Sequence, residues 1–63
     1  MFIEERHQKI LNLLKENGSV KVEELSSMFS KSEDSIRRDL RILEKEGLLR
    51  KTHGGAIAAG KVS

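Results

Sequence analysis

Apolar side chains recur every three to four residues in three segments of this chain, and that spacing places them on one face of a helix. A first helix is predicted over about 4–17, where Ile10 and Leu14 share a face. A second is predicted over about 23–29, and it is so short that it must pack against its neighbours to be stable. A third, predicted over 33–46, has the strongest pattern of the three.

This third helix combines a start signal with two opposite faces. Ser32 is a good N-cap residue, because its hydroxyl can accept a hydrogen bond from a free amide of the first turn. One face is apolar and consists of Ile36, Leu40 and Leu43. The other carries basic residues, namely Arg38, Arg41 and Lys45. Such a helix can be anchored by its apolar face and pressed by its basic face into a DNA groove.

Short β-segments flank the helices. Residues 19–22 alternate polar and apolar side chains and predict a very short strand. Residues 48–52 predict a strand, 53–55 a turn and 56–59 a returning strand, since Gly54-Gly55 can supply the positive φ of a tight hairpin. The order of elements predicts a winged helix-turn-helix, mainly α with a small antiparallel β-sheet, in which the segment after the first helix adds a third strand.

The predicted core gathers the apolar faces of these elements: Ile10, Leu14, Val20, Leu25, Phe29, Ile36, Leu40, Leu43 and Leu49. Ile57 is expected to cover the base of the hairpin, and Met28 to fill the core at helical spacing. Asp39 lies beside the apolar stripe of the third helix. We therefore expect it to form a salt bridge that fixes a flanking arginine or a neighbouring helix.

Composition narrows the possible functions. The 63 residues suffice for one small domain, predicted over 1–59, with 60–63 as the start of a linker. The chain has no cysteine, its two histidines lack metal-ligand spacing, and no nucleophile–base set can be assembled. We expect no enzyme activity, no metal and no cofactor. The early charges and the lack of a long apolar run favour the cytoplasm over a secreted or membrane location.

The charge is unevenly distributed along the chain. Residues 1–36 contain five Lys or Arg against seven Asp or Glu, whereas residues 37–63 contain seven against three. This asymmetry indicates an anionic partner for one face of the domain. A solvated helix surface with a chance imbalance would give the same count.

Arginine matches both guanine edges and phosphates, so the basic residues are candidate DNA contacts. Ser35, which lies beside the exposed face of the third helix, and the glycines of the hairpin tip are candidates with them. In the third helix and the turn before it, the candidates are Lys31, Ser35, Arg37, Arg38, Arg41 and Lys45. In the hairpin, they are Arg50, Lys51, His53, Gly54 and Gly55. The alternative for the arginines is pairing with Asp34, Asp39 or Glu44 on the surface. A winged helix that binds another protein is the alternative function.

Four segments resemble the N-terminal DNA-binding domain of the DeoR family of bacterial transcriptional regulators: EERHQKILNLLKENG at 4–18, VEELSSMF at 22–29, SEDSIRRDLRILEKEGLL at 32–49 and HGGA at 53–56. The pairing of I-R-R-D-L with the later H-G-G-A is specific. Four positions depart from the family pattern: Ser35 replaces threonine, Ser30 replaces a glycine, Lys31 replaces an apolar residue, and Lys21 stands where a capping hydroxyl is common.

The resemblance implies binding to double-stranded operator DNA, usually as a repressor of sugar or nucleoside metabolism. It implies that Arg37 and Arg38 contact DNA and that 53–55 forms the wing tip. Family members carry a larger C-terminal domain that senses a phosphorylated sugar or related metabolite and drives oligomerisation. The resemblance therefore implies a fragment that is monomeric, whereas the full-length protein forms a homodimer or higher oligomer and binds the effector.

Overall fold

The computed structural model describes residues 2–59, which form three helices and a three-stranded antiparallel sheet. The helices are α1 (Ile3–Asn17), α2 (Val22–Phe29) and α3 (Glu33–Lys45), and the strands are β1 (Ser19–Lys21), β2 (Leu49–Thr52) and β3 (Gly55–Ala58). This is the predicted winged helix-turn-helix, with most element ends displaced by one residue. The proposed linker, 60–63, lies outside the described residues. No helix within 2–59 is both long and apolar enough to cross a bilayer.

The sheet attaches the hairpin, here called the wing (β2, β3 and the turn between them), to the helices. β3 lies in the centre and pairs with β1 on one side and β2 on the other. Two further backbone hydrogen bonds fix this arrangement: the Val22 amide donates to the Gly54 carbonyl (2.9 Å), and the Ala58 amide to the Gly18 carbonyl (3.1 Å). The wing is thus joined, at the start and at the end of β3, to the segment that links α1 to α2.

The two glycines of the wing have different roles. Gly54 has a φ of 85°, as the prediction of a tight turn requires. Gly55 does not have a positive φ; it is a buried residue of β3, where an added Cβ would lie 2.1 Å from the carbonyl oxygen of Val20. Gly55 therefore allows β1 and β3 to approach closely, and the expectation that both glycines supply positive φ holds only for Gly54.

The core contains eight of the nine predicted residues in fully buried positions, and Phe29 packs against it half-buried. Two predictions are wrong: Ile57 is 39% exposed and Met28 is 56% exposed. Neighbouring strand residues point to opposite sides, and the register turns Ala56 rather than Ile57 inward. In α2 the inward arc is set by Val22, Leu25 and Phe29, and Met28 lies roughly 90° from its centre.

The turn between α2 and α3 is closed by backbone hydrogen bonds. The Lys31 amide donates to the Ser26 carbonyl (3.1 Å) and the Ser30 amide to the Ser27 carbonyl (3.4 Å), which is a Schellman motif. Ser30 occupies its left-handed position with a φ of 55° and is the only non-glycine residue within 2–59 with a positive φ. The hydroxyl of Ser32 then accepts from the Ser35 amide (3.1 Å) and caps α3, as predicted.

A buried ion pair joins α1 to α3. Arg6 donates from Nε to Oδ2 of Asp39 (2.6 Å) and from Nη2 to Oδ1 (3.1 Å), and Nε2 of His7 lies 3.0 Å from Oδ1. Arg6 and Asp39 are only 8% and 2% exposed. Asp39 therefore has the architectural role predicted for it, and its partner belongs to a neighbouring helix rather than to α3 itself.

This environment acts on both partners. Burial by itself would raise the pKa of Asp39, but hydrogen bonds from Arg6 and His7 and the nearby positive charge outweigh it and hold the pKa below its usual range. The hydrogen bond to Asp39 raises the pKa of Arg6 despite the cost of burial. The carboxylate and the guanidinium therefore stay charged together across the neutral range.

We expect Ser30→Gly to raise the free energy of unfolding by about 0.5–1 kcal/mol, because glycine relieves the left-handed strain but gains freedom in the unfolded chain. Ser27→Gly, in the interior of α2, is the matched control and should lower it by about 0.5 kcal/mol. Urea unfolding measures both changes. Equal destabilisation by the two variants would show that Ser30 is not strained.

We expect Asp39→Asn to destabilise the domain by about 3 kcal/mol or more, since it leaves the Arg6 guanidinium buried without a counter-charge.

Because the pKa of Asp39 is lowered in the folded state, its contribution to stability is present above the unfolded value of 3.8 and is lost as the pH falls through the lower folded value. Urea midpoints measured down to pH 3 should show this acid-dependent loss in the parent and not in the variant. If Asp39→Asn prevents folding, the paired change Arg6→Met with Asp39→Leu should restore it. Unchanged stability of Asp39→Asn would contradict this role for the ion pair.

Candidate nucleic-acid interface

The outward face of α3 presents a row of exposed basic side chains. Ile36, Leu40 and Leu43 hold the helix against the core, and so its other side faces solvent. Arg38, Arg41 and Lys45 lie there together and line a shallow groove with Ile42 and Glu44. Within 2–59, neither Arg38 nor Arg41 forms a salt bridge. The surface-pairing alternative therefore does not describe these two arginines, whose guanidinium groups face solvent.

Arg37 differs from the other two arginines because it is paired. Its Nη1 donates to Oδ1 of Asp34 (3.0 Å) and its Nη2 to Oε1 of Glu33 (3.1 Å). The Arg37 side chain is still 46% exposed. The spacing of these pairs, i,i+3 and i,i+4, is that of neighbours on a helix surface. The alternative of surface pairing thus holds for Arg37, with Glu33 as a partner in addition to Asp34.

A second group of candidate residues surrounds a small cleft between α3 and the wing, here called the notch. Its rim is formed by Arg37, Lys51, Thr52, His53 and Gly54. The buried residues Val22 and Gly55 also line it. Arg37 on α3 and the basic residues of the wing, separate in the sequence, therefore face the same space.

Arg50 does not join the notch. It follows Leu49 and precedes Lys51 in β2, so its side chain points to the other side of the strand from Lys51, and it is exposed opposite Ile57. The basic residues predicted to act together on the hairpin therefore lie on two sides of it, with Lys51 and His53 on one side and Arg50 on the other.

The turn before α3 and the first turn of α3 each supply one of the two remaining candidates. Lys31 is exposed, and its backbone carbonyl accepts a hydrogen bond from the Ser26 hydroxyl (2.5 Å). Ser35 is half-buried, and its hydroxyl oxygen accepts from the hydroxyl of Ser32 (3.1 Å). The Ser35 hydroxyl can still donate its own proton outward from the first turn of α3.

Glu44 connects α3 to the wing and has no place in the predicted set of site residues. Its Oε2 accepts a hydrogen bond from the backbone amide of Lys51 (2.9 Å). β2 is an edge strand, so this amide has no partner strand on its outer side, and the carboxylate of Glu44 takes that place. The angle between the wing and α3 is thereby fixed beside Lys51. Sequence spacing alone gives no signal for this contact.

Comparison with known proteins agrees with this geometry. Residues 6–62 match the family model of the DeoR-like helix-turn-helix domain. The chain belongs to the DeoR family. It is 48% identical to the HTH-type transcriptional regulator YulB of Bacillus subtilis over 58 residues, and these residues make up 92% of this chain and 22% of that protein. It is 47% identical over 53 residues to the glycerol-3-phosphate regulon repressor of Haemophilus influenzae, covering 84% of this chain and 21% of that protein.

A third relative is the HTH-type transcriptional regulator GolR of Listeria innocua, 46% identical over 57 residues, which make up 90% of this chain and 22% of that protein. No solved structure matches the chain. The chain thus spans only about a fifth of the length of these three relatives. The DeoR-family domain is a DNA-binding domain of transcriptional regulators, and the relatives it matches are transcriptional regulators. Among residues 2–59, no group of three or more His, Cys, Asp or Glu is arranged to hold a metal ion.

We expect Glu44→Ala to speed hydrogen exchange at the Lys51 amide by about tenfold or more, because it removes a hydrogen bond to a charged acceptor. Glu44→Gln keeps an acceptor oxygen and should change the rate less. Glu46→Ala, an exposed glutamate near the end of α3, is the control and should leave the rate unchanged. If all three variants exchange at the parent rate, Glu44 does not position the wing.

Proposed function

We propose that this DeoR-family domain binds double-stranded operator DNA sequence-specifically, with α3 in the major groove and the wing on the flanking backbone or in the adjacent minor groove. The observation that carries this proposal is the outward face of α3, where Arg38 and Arg41 are exposed and without carboxylate partners within 2–59. The major groove is about 12 Å wide and admits a helix of this kind.

The arrangement suggests a division of roles. Ser35 and Arg38 lie in the first two turns of α3, the part of such a helix that reaches base edges. An arginine there can bind the O6 and N7 atoms of guanine with two parallel hydrogen bonds. Lys51 and His53, on the wing, contact phosphates instead, and Arg41, Lys45, Lys31 and Arg50 extend the positive surface along the backbone. Phosphate contacts position the domain, and base contacts specify the sequence.

The regulatory role proposed here is repression of sugar metabolism. The support for it is the family together with relatives such as the glycerol-3-phosphate regulon repressor. We further propose that a longer protein carries this domain in the bacterial cytoplasm, assembles as a homodimer or higher oligomer, and binds a phosphorylated sugar outside residues 1–63. Two copies would then bind half-sites about one helical turn apart, or a multiple of it, and the domain alone, as a monomer, would bind weakly.

One observation favours a second candidate, a protein-binding surface. Met28, unexpectedly exposed, lines a groove between α1 and α2 with Leu13 and the polar residues Lys9, Asn12 and Glu16. This groove shares no residue with the basic face of α3 or with the notch. The two candidate functions therefore use separate surfaces and can be tested separately.

Two substitutions test the division of roles on DNA. Arg38→Ala should weaken binding to a duplex selected from a random pool by about 1–3 kcal/mol and relax the preference at one position, if Arg38 reads a base. Lys51→Ala should weaken binding to all duplexes alike and reduce the slope of log K against log salt by about one, if Lys51 contacts a phosphate. Fluorescence anisotropy over a salt series measures both. Identical behaviour of the two variants would contradict the proposed roles.

A further inference from the structure

The notch has a feature that DNA binding by α3 does not require. Arg37 is the α3 residue on the rim of the notch, yet its guanidinium is bound by Glu33 and Asp34 in the first turn of the same helix. The other basic side chains on the rim, Lys51 and His53, form no salt bridge within the described residues. The guanidinium of Arg37 is thus paired with two neighbouring carboxylates while the domain is free.

We propose that the notch binds one backbone phosphate of DNA, and that Glu33 and Asp34 form an acidic clamp that competes with this phosphate for Arg37. The inference rests on the proposed DNA binding and adds a site and a mechanism of discrimination to it. In the bound state, Arg37 exchanges its two carboxylate partners for the phosphate, and Lys51 and His53 contact the same phosphate from the wing.

Arg37 can exchange its two carboxylate partners for a phosphate because the two kinds of pairing are similar in strength and geometry. Arg37 and Glu33 are both about half exposed, and Asp34 is 92% exposed, so their pairing is screened by water and is weak. A phosphate offers the guanidinium the same two-pronged hydrogen bonding as a carboxylate. After the exchange, Glu33 and Asp34 remain favoured by the dipole at the start of α3. The clamp therefore opens when a phosphate is held beside Arg37 and closes when it leaves.

The clamp reduces binding to the wrong DNA. Every duplex presents phosphates, so a free Arg37 would strengthen loose, sequence-independent complexes as much as the specific one. With the clamp in place, Arg37 is released only when α3 is seated deeply enough to bring a phosphate into the notch. Glu33 and Asp34 are thus specificity-determining residues, although they contact no base.

A double-mutant cycle tests this inference with a mixed-sequence duplex as the probe. The clamp variant, Glu33→Gln with Asp34→Asn, should bind that duplex about three- to tenfold more tightly than the matched control, Glu4→Gln with Glu16→Gln. The control removes the same charge from exposed glutamates of α1, away from the notch. The clamp variant should also show a steeper salt dependence, by about one ion.

In an Arg37→Gln background, the same clamp substitutions should give no more than the gain of the control pair. Equal gains by the clamp and control variants in the parent background, or an undiminished clamp gain without Arg37, would overturn the clamp while leaving DNA binding intact. A parent domain that binds no duplex at low salt would overturn the proposed function and the clamp together. Urea unfolding of each variant ensures that folded domains are compared.

Discussion

The position of α3 depends on one buried carboxylate. Asp39 lies on the helix that carries the exposed arginines, but it faces the opposite way and is bound by Arg6 and His7 of α1. The apolar stripe of Ile36, Leu40 and Leu43 turns the other side of α3 to solvent, but apolar attraction has no preferred direction and leaves the orientation of α3 against α1 loosely defined. Two charge-assisted hydrogen bonds at fixed geometry supply that direction. They fix α3 relative to α1, and so hold Arg38 and Arg41 in place on its outward side.

The arginines of α3 therefore have different environments although they are close in sequence. Arg38 and Arg41 face solvent without salt bridges in the described part of the chain, whereas Arg37 is held by two carboxylates at the edge of the notch. The wing is positioned relative to them from both sides, by Glu44 through the Lys51 amide and by the Val22 amide through the Gly54 carbonyl. A small domain thereby presents two basic surfaces, α3 and the wing, in a fixed relation to each other.

Helical periodicity and turn residues were sufficient to predict the order of the elements and most of the core, because the apolar faces of all the elements pack into one shared core. Ile57 and Met28 were misplaced for geometric reasons: the pairing register decides which residue of β3 faces inward, and the core-facing arc of α2 is narrower than its apolar pattern. The candidate basic residues could be identified from residue type and position. The partners of these residues could be predicted only in part. The ion pair of Glu33 with Arg37 follows from their i,i+4 spacing along one helix. The hydrogen bond between the Lys51 amide and Glu44 depends instead on how the wing packs beside α3.

On the proposed function, the domain meets DNA with the outer face of α3 and with the wing. Titration of the isotope-labelled domain with duplex DNA at low salt, followed by amide and arginine side-chain NMR signals, tests this contact surface. We expect the largest shifts at Ser35, Arg38 and Arg41 and in the wing from Lys51 to Gly54. Signals that stay in place at these residues, or shifts confined to the groove between α1 and α2 around Met28, would contradict the claim.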